Sequence, residues 1–138
     1  PAQAAYTHAG AAALRNGCLI VAAAGNASLN TGAPANSPTI MSVASLDANL
    51  KPSRFSNFGK VDIAAPGRDV FSSWPRPSHY KSISGTSMAA PHVAGCAALW
   101  AESDASLRGM KLWQQLVASA QGLPSPESRV GAGLVQAP

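Results

Sequence analysis

One serine of this chain stands where a serine could act as a nucleophile. Ser87 lies within "SGTSMAAPHVAG", residues 84–95, among small residues at the start of a predicted helix. The first turn of a helix offers unpaired backbone N–H groups and the positive end of the helix dipole, which stabilise developing negative charge. Together with the side chain of Asn26, just beyond a predicted strand, the Ser87 N–H would form a two-donor oxyanion hole. A serine there could also simply cap the helix, and spacing alone favours the cap.

None of the histidines is placed to be the base that such a serine needs. An α-helix turns about 100° and rises about 1.5 Å per residue, so His92 lies roughly 140° around the axis from Ser87. We therefore predict a structural, hydrogen-bonded role for His92. His8 falls in an Ala-rich helix, and His79 lies near the tip of a hairpin. Asp62 lies inside a predicted buried strand, where a lone carboxylate more often anchors the backbone than takes part in catalysis.

The surrounding pattern predicts an α/β fold, with a parallel sheet flanked by helices and a short β-hairpin before the core helix. Continuous apolar runs indicate strands, and Ala-rich or striped runs indicate helices. The predicted strands span residues 18–23, 39–45 and 61–67, the hairpin spans 70–84, and the helices span 2–15, 85–101 and 107–120.

Three of these elements carry more specific expectations about burial. The strand over residues 18–23 is continuously apolar, which is typical of a strand buried on both faces of a sheet. The helix after Gly85 has no polar face and is predicted to be buried all round. The last helix is expected to bury one stripe, formed by Met110, Trp113, Leu116, Val117 and Ala120.

The composition of the chain argues against two classes of function, nucleic-acid binding and membrane spanning. The 138 residues fit one domain, and 46% of them are hydrophobic, which is enough for a core. Only 12% are charged, which indicates that part of the surface is covered by something outside this chain. The net charge of +4 is not gathered into a basic run, so a nucleic-acid face is excluded. No apolar run is long enough to cross a membrane.

The two cysteines, Cys18 and Cys96, both lie in apolar stretches. We predict two buried free thiols rather than a disulfide. No pair of cysteines and no His-rich run has the spacing of metal ligands, so no metal site is predicted.

Four stretches, in order along the chain, resemble the subtilisin-like serine proteases. "SGTSMAAPHVAG" is similar to the nucleophile motif of that family almost letter for letter, and "VAAAGN" (residues 21–26) is similar to its strand and oxyanion asparagine. "FSNFGKVDIAAPG" (residues 55–67) and "GAGLVQA" (residues 131–137) resemble two further stretches. The resemblance covers nearly the whole chain.

The resemblance implies a serine endopeptidase that acts on peptides or proteins. Ser87 would be the nucleophile and Asn26 the oxyanion donor, which are the roles established for subtilisin itself. Ala23, Ala24 and Gly25 would line one wall of the substrate pocket, and Gly32 would leave room at its far end for a large apolar side chain. No cofactor is expected for catalysis.

Two further properties are carried over from the family as a whole. Family members often bind structural calcium, but the acidic residues of this chain form no cluster of the kind that such a site needs. The resemblance also implies a secreted or extracytoplasmic location.

The chain departs from the family in what it lacks. In subtilisins the catalytic residues come in the order Asp, His, Ser. The family's Asp-Ser/Thr-Gly and His-Gly-Thr-His motifs are both absent from residues 1–138. We therefore expect the carboxyl half of a catalytic domain, inactive alone, whose partner is an amino-terminal half or a second copy. The alternative is a non-catalytic fragment or pseudoenzyme that serves as a structural or interaction unit.

Overall fold

A computed structural model describes all of residues 1–138 and places the apolar runs in one parallel sheet. The α/β fold with a hairpin before the core helix is confirmed. A short helix over residues 127–130 is the one element that the sequence pattern did not indicate. In chain order the elements are α1 (Ala4–Arg15), β1 (Val21–Ala23), β2 (Met41–Leu46), β3 (Ile63–Pro66), β4 (Val70–Ser73), β5 (Tyr80–Ile83), α2 (Thr86–Ser103), α3 (Gly109–Ser119) and α4 (Glu127–Val130).

The main sheet has the order β1-β2-β3, and both strand pairs are parallel. Every residue of β2 is buried, because β2 has a neighbour on each side and packing on both faces. In contrast, β1 is only three residues long and half-buried. The predicted burial of residues 18–23 on both faces is therefore wrong: β1 is an edge strand, and no strand of this chain covers its outer side.

Alternate residues of the central strands face two separate cores. On one face, Met41, Val43 and Ile63 pack against the buried side of α2 and α3. On the other face, Ala44 and Leu46 pack against Val130 of α4. This period of two is the pattern expected of strands between two layers. The antiparallel pair β4–β5 stands apart from the sheet and leads directly into α2.

The core helix α2 is buried on one side only. Ala89, Val93 and Ala97 are buried, whereas the opposite side, including Ala94, Ala98 and Leu99, is exposed. The prediction of burial all round is thus wrong for this chain. The sheet and α3 pack on one side of α2, and the opposite side is left largely exposed.

Three of the five residues predicted to form the buried stripe of the last helix lie in the core or pack against it: Trp113, Leu116 and Ala120. In α3 the buried apolar side chains are Leu112 and Leu116, one turn apart. Met110 is 45% exposed and Val117 is 37% exposed. The large apolar residues of α3 occupy an arc of a little under half its circumference, and periodicity alone does not determine which part of that arc faces the core.

Both cysteines are free, as expected, but their burial differs from the prediction. Cys18 is exposed because it precedes the open edge strand, and Cys96 is half-buried on α2. Burial raises the pKa of the Cys96 thiol. None of the helices combines the length and the apolar character that a membrane crossing requires.

Candidate active site

Ser87 lies in the first turn of α2 and does not cap it. The N-cap residue is Gly85, and no side chain makes a capping hydrogen bond there. Ser87 is exposed. The main-chain N–H of Ser87 has no backbone acceptor, as expected in the first turn of a helix. The interpretation of Ser87 as a helix cap is therefore excluded, and an exposed hydroxyl lies beside an unpaired donor.

Asn26 reaches the start of α2 from the loop that follows β1. Its Oδ1 accepts two hydrogen bonds from Thr86, one from the N–H and one from the hydroxyl, both at 2.8 Å. A carboxamide oxygen has two lone pairs, so both acceptor positions are in use. The amide can therefore present only its Nδ2 donor to a ligand. Nδ2 lies near the turn, 3.5 Å from where a Cβ on Gly85 would be.

Thr86 is a site residue that sequence reasoning missed. It is completely buried, and its hydroxyl also accepts a hydrogen bond from the Gly25 N–H at 3.1 Å. One side chain thus joins the loop after β1 to the helix that carries Ser87. The only signal in the sequence was a second hydroxyl residue directly before Ser87.

The four residues assigned to a substrate pocket are near this loop. Ala23 ends β1, and Gly25 adopts a φ of 111°, a conformation that favours glycine. The Gly32 N–H donates to the Ala24 carbonyl at 3.2 Å, so these two residues are neighbours. Ala24 is 1% exposed, so it presents almost no surface in this chain. No atom lies within 4 Å of a Cβ position on Gly32, and the pocket assignment stays a prediction.

The structure brings no histidine into a hydrogen bond with Ser87. The Nδ1 of His92 is paired with the Met88 carbonyl at 2.8 Å, which confirms the expected hydrogen-bonded histidine. His92 and Ser87 do line one groove of about 310 Å³, between α2 and the hairpin. His8 and His79 are exposed, on α1 and at the hairpin tip.

The carboxylate of Asp62 anchors the backbone, as predicted for its strand. Its Oδ2 accepts a hydrogen bond from the Ser42 N–H at 2.7 Å and lies 2.6 Å from the Lys60 ammonium. The same ammonium donates to the Ile40 carbonyl and lies over the Trp113 ring. Asp62 is thus part of the β2–β3 connection and not of the Ser87 site.

The structure contains no group of three or more His, Cys, Asp or Glu side chains arranged to hold a metal ion. The family's structural calcium was not predicted for these residues, and the rest of a complete domain lies outside them.

Comparison with known proteins gives consistent results in sequence and in fold. The model of the subtilase family, peptidase S8, matches residues 2–133. M-protease of Shouchella clausii (strain KSM-K16) is 40% identical over 127 residues, which is 91% of this chain and 33% of the relative. Thermitase of Thermoactinomyces vulgaris is 47% identical over 102 residues, which is 72% of this chain and 36% of the relative.

Among solved structures, a protease of Pseudoalteromonas arctica PAMC 21717 superposes with a TM-score of 0.88 at 31% identity. The match covers 98% of this chain and 45% of that protein. The chain therefore spans between a third and a half of the length of these proteins.

Proposed function

The chain belongs to the subtilase family of serine proteases, and on that premise we propose that it supplies the nucleophile and the oxyanion hole of a serine endopeptidase. Ser87 is the nucleophile. The Ser87 N–H and Asn26 Nδ2 are the two oxyanion donors. A histidine and an aspartate from another part of the same catalytic domain complete the site.

The proposed reaction is hydrolysis of a peptide bond through an acyl-enzyme. The Ser87 oxygen forms a bond to the peptide carbonyl carbon, the carbonyl electron pair moves to its oxygen, and the hydroxyl proton passes to the histidine. The Ser87 N–H and Asn26 Nδ2 donate to the resulting oxyanion. The tetrahedral intermediate then expels the amine, which takes the proton from the histidine. Water then attacks the acyl carbonyl carbon and passes a proton to the histidine. The second tetrahedral intermediate expels the Ser87 oxygen, which takes that proton back, and the acid is released.

The observation that carries this proposal is the double hydrogen bond from Thr86 to Asn26 Oδ1, at 2.8 Å each. It fixes the amide with its donor end free, beside the N–H of Ser87, which has no acceptor within the protein. Donors that are already oriented cost no reorganisation when charge develops, which is what makes an oxyanion hole effective.

We infer that the missing part of the domain covers the open side of this chain. β1 pairs only with β2, so its other edge exposes unpaired backbone groups. Beside that edge lies an apolar groove of about 380 Å³, which we call the Cys18 groove. Its lining residues come from the segment before β1, from β1 itself, from α2 and from α3: Gly17, Cys18, Leu19, Val21, Ala94, Ala97, Ala98, Ala101 and Leu112.

The family length supports the remainder of the domain as the occupant, because the matched relatives are at least twice as long as the matched region. Its expected contribution is a strand along the edge of β1 and the catalytic histidine and aspartate. A second copy of this chain would cover the same surface without supplying those residues.

The pocket formed by Ala23, Ala24, Gly25 and Gly32 is proposed to bind the substrate residue before the scissile bond. The open space at Gly32 favours a large apolar side chain there. An extracytoplasmic location is proposed on family membership alone.

The test is the turnover of a peptide substrate by the full-length protein and its variants. Ser87→Ala is expected to lower kcat about 10⁶-fold, the loss known for subtilisin itself. Asn26→Ala is expected to lower kcat about 10²–10³-fold with little change in KM, again as in subtilisin. The exposed Asn49→Ala is the control and should leave both constants unchanged. No turnover would favour the non-catalytic alternative, and turnover that does not depend on Ser87 would exclude Ser87 as the nucleophile.

A further inference from the structure

Asn57 makes an unusual set of hydrogen bonds to the loop that carries Asn26. It is 6% exposed, and its side chain bonds four backbone groups of residues 24–30. A carboxamide has two donor hydrogens and two acceptor lone pairs, so the side chain of Asn57 is fully satisfied. The partners are the N–H groups of Ala27 (2.9 Å) and Leu29 (3.0 Å) and the carbonyls of Ala24 (3.1 Å) and Asn30 (3.3 Å).

These bonds lie on both sides of Asn26. Ala24 is two residues before it and Ala27 is one residue after it, and the Asn57 N–H also donates to the Gly25 carbonyl at 2.9 Å. No other side chain bonds the backbone on both sides of Asn26. Residues 26–30 are exposed and belong to none of the named helices or strands. Backbone hydrogen bonds to Phe55 and Phe58 hold the end of this loop that is farther from Asn26, whereas Asn57 holds the backbone on both sides of Asn26.

Gly25 shows how closely Asn57 approaches this loop. A Cβ on Gly25 would collide with the Nδ2 atom of Asn57. Because Gly25 has no side chain, the Asn57 amide has room to lie against it, and the glycine also adopts the φ of 111°. The glycine and the asparagine form one close contact directly before Asn26.

We propose that Asn57 is a positioning residue for the oxyanion hole. This inference rests on the proposed function. Thr86 sets the rotation of the Asn26 amide, whereas Asn57 sets the path of the backbone from which that amide projects. Removing the Asn57 side chain would leave four backbone groups of the loop without their partner. Asn26 Nδ2 would then spend less time where an oxyanion forms.

The test is a double-mutant cycle in the full-length protein, with kcat and KM measured on a peptide substrate. Asn57→Ala is expected to lower kcat about 10-fold or more, below the roughly 10²–10³-fold loss of removing an oxyanion donor. KM should change little, because the oxyanion exists only in the transition state. In an Asn26→Ala background, the same substitution should lower kcat less than twofold, because no amide remains to be positioned.

Ser53→Ala is the matched control. Ser53 is fully buried in the same segment and bonds Ser45 and Asp47, but no residue of the loop. It should lower the melting temperature without the selective effect on kcat. If Asn57→Ala does not fold, Asn57→Asp keeps an oxygen for the Ala27 and Leu29 N–H groups, loses the two donors, and enters the same cycle.

Equal losses from Asn57→Ala in both backgrounds would overturn the inference, because Asn57 would then act independently of Asn26. If turnover depends on Ser87 and Asn26 but the cycle is additive, only the inference fails. If turnover does not depend on Ser87 and Asn26, the proposed function fails and the inference with it.

Discussion

Thr86 determines which end of the Asn26 amide is free to bind a ligand. The N–H and the hydroxyl of Thr86 both donate to Asn26 Oδ1, and the Thr86 hydroxyl also accepts a hydrogen bond from the Gly25 N–H. Sequence spacing identified Asn26 and Ser87 as candidates but could not separate a nucleophile from a helix cap, because both interpretations place a hydroxyl residue in the first turn. The hydroxyl that makes hydrogen bonds within this turn and its neighbouring loop is that of Thr86, whereas Ser87 is exposed.

We predict that Thr86→Val in the full-length protein lowers both stability and kcat. The substitution leaves the Gly25 N–H without its acceptor in a buried site, which costs about 1–3 kcal/mol of unfolding free energy. It also removes one of the two hydrogen bonds that orient the Asn26 amide. Chemical denaturation and steady-state kinetics measure the two effects.

Thr31→Val is the control for that substitution. Thr31 is 7% exposed, and its hydroxyl donates to the Phe58 carbonyl at 3.2 Å without contacting Asn26. It should lower stability and leave kcat unchanged. An unchanged kcat in Thr86→Val as well would show that the main-chain N–H of Thr86 orients Asn26 without help from the hydroxyl.

At the scale of elements, α1 shows how packing can reverse a local preference. Gly10 lies within this Ala-rich helix and is its one buried residue. A Cβ there would lie 2.8 Å from the Thr39 carbonyl oxygen and closer still to the Thr39 hydroxyl. That hydroxyl donates to the Thr7 carbonyl at 2.7 Å and holds α1 against the segment before β2.

We therefore predict that Gly10→Ala destabilises the full-length protein by about 1–3 kcal/mol, the usual cost of overpacking. Helix propensity alone would predict the opposite, a gain of about 1 kcal/mol. The exposed Ala9→Gly in the same helix should follow propensity and cost about 0.5–1 kcal/mol. Thermal or chemical unfolding measures both, and a stabilised Gly10→Ala would contradict the close packing of α1.

The elements could be predicted from sequence wherever a local pattern determines them. The Ala-rich α1, the apolar β2 and the small-residue α2 all appear within a few residues of the predicted positions. Exposure could not be predicted for β1 and for the outer side of α2, because their apolar residues look the same whether or not a partner covers them. Asn57 lies within the family-like stretch at residues 55–67, but its bonds to residues 24–30 arise only from the fold.

At the scale of the whole molecule, the open edge of β1, the exposed side of α2 and the Cys18 groove form one continuous apolar face. Exposed apolar patches of several hundred Å² are uncommon on monomers and usually mark an interface. The low fraction of charged residues, 12%, is consistent with a chain part of whose surface is covered by another part of a larger domain. Cys18 lines the groove and can report whether it is covered.

We predict that Cys18 resists alkylation in the native full-length protein and reacts readily once the protein is denatured. In the separate chain, where Cys18 is exposed, it should react quickly. Cys96 is the internal comparison: it is half-buried and has a raised pKa, so it should react slowly in both forms. Iodoacetamide labelling with mass spectrometry distinguishes the two sites. Equally fast native and denatured labelling of Cys18 would show that nothing covers the groove.

Ser87 is proposed to be a nucleophile whose base lies outside these 138 residues. Labelling with a fluorophosphonate probe tests it most directly, because the probe reacts with an activated serine. We predict rapid labelling of the full-length protein at Ser87, complete loss of labelling in Ser87→Ala, and almost no labelling of the separate chain. Rapid labelling of Ser87 in the separate chain, or no labelling of Ser87 in the full-length protein, would contradict the account.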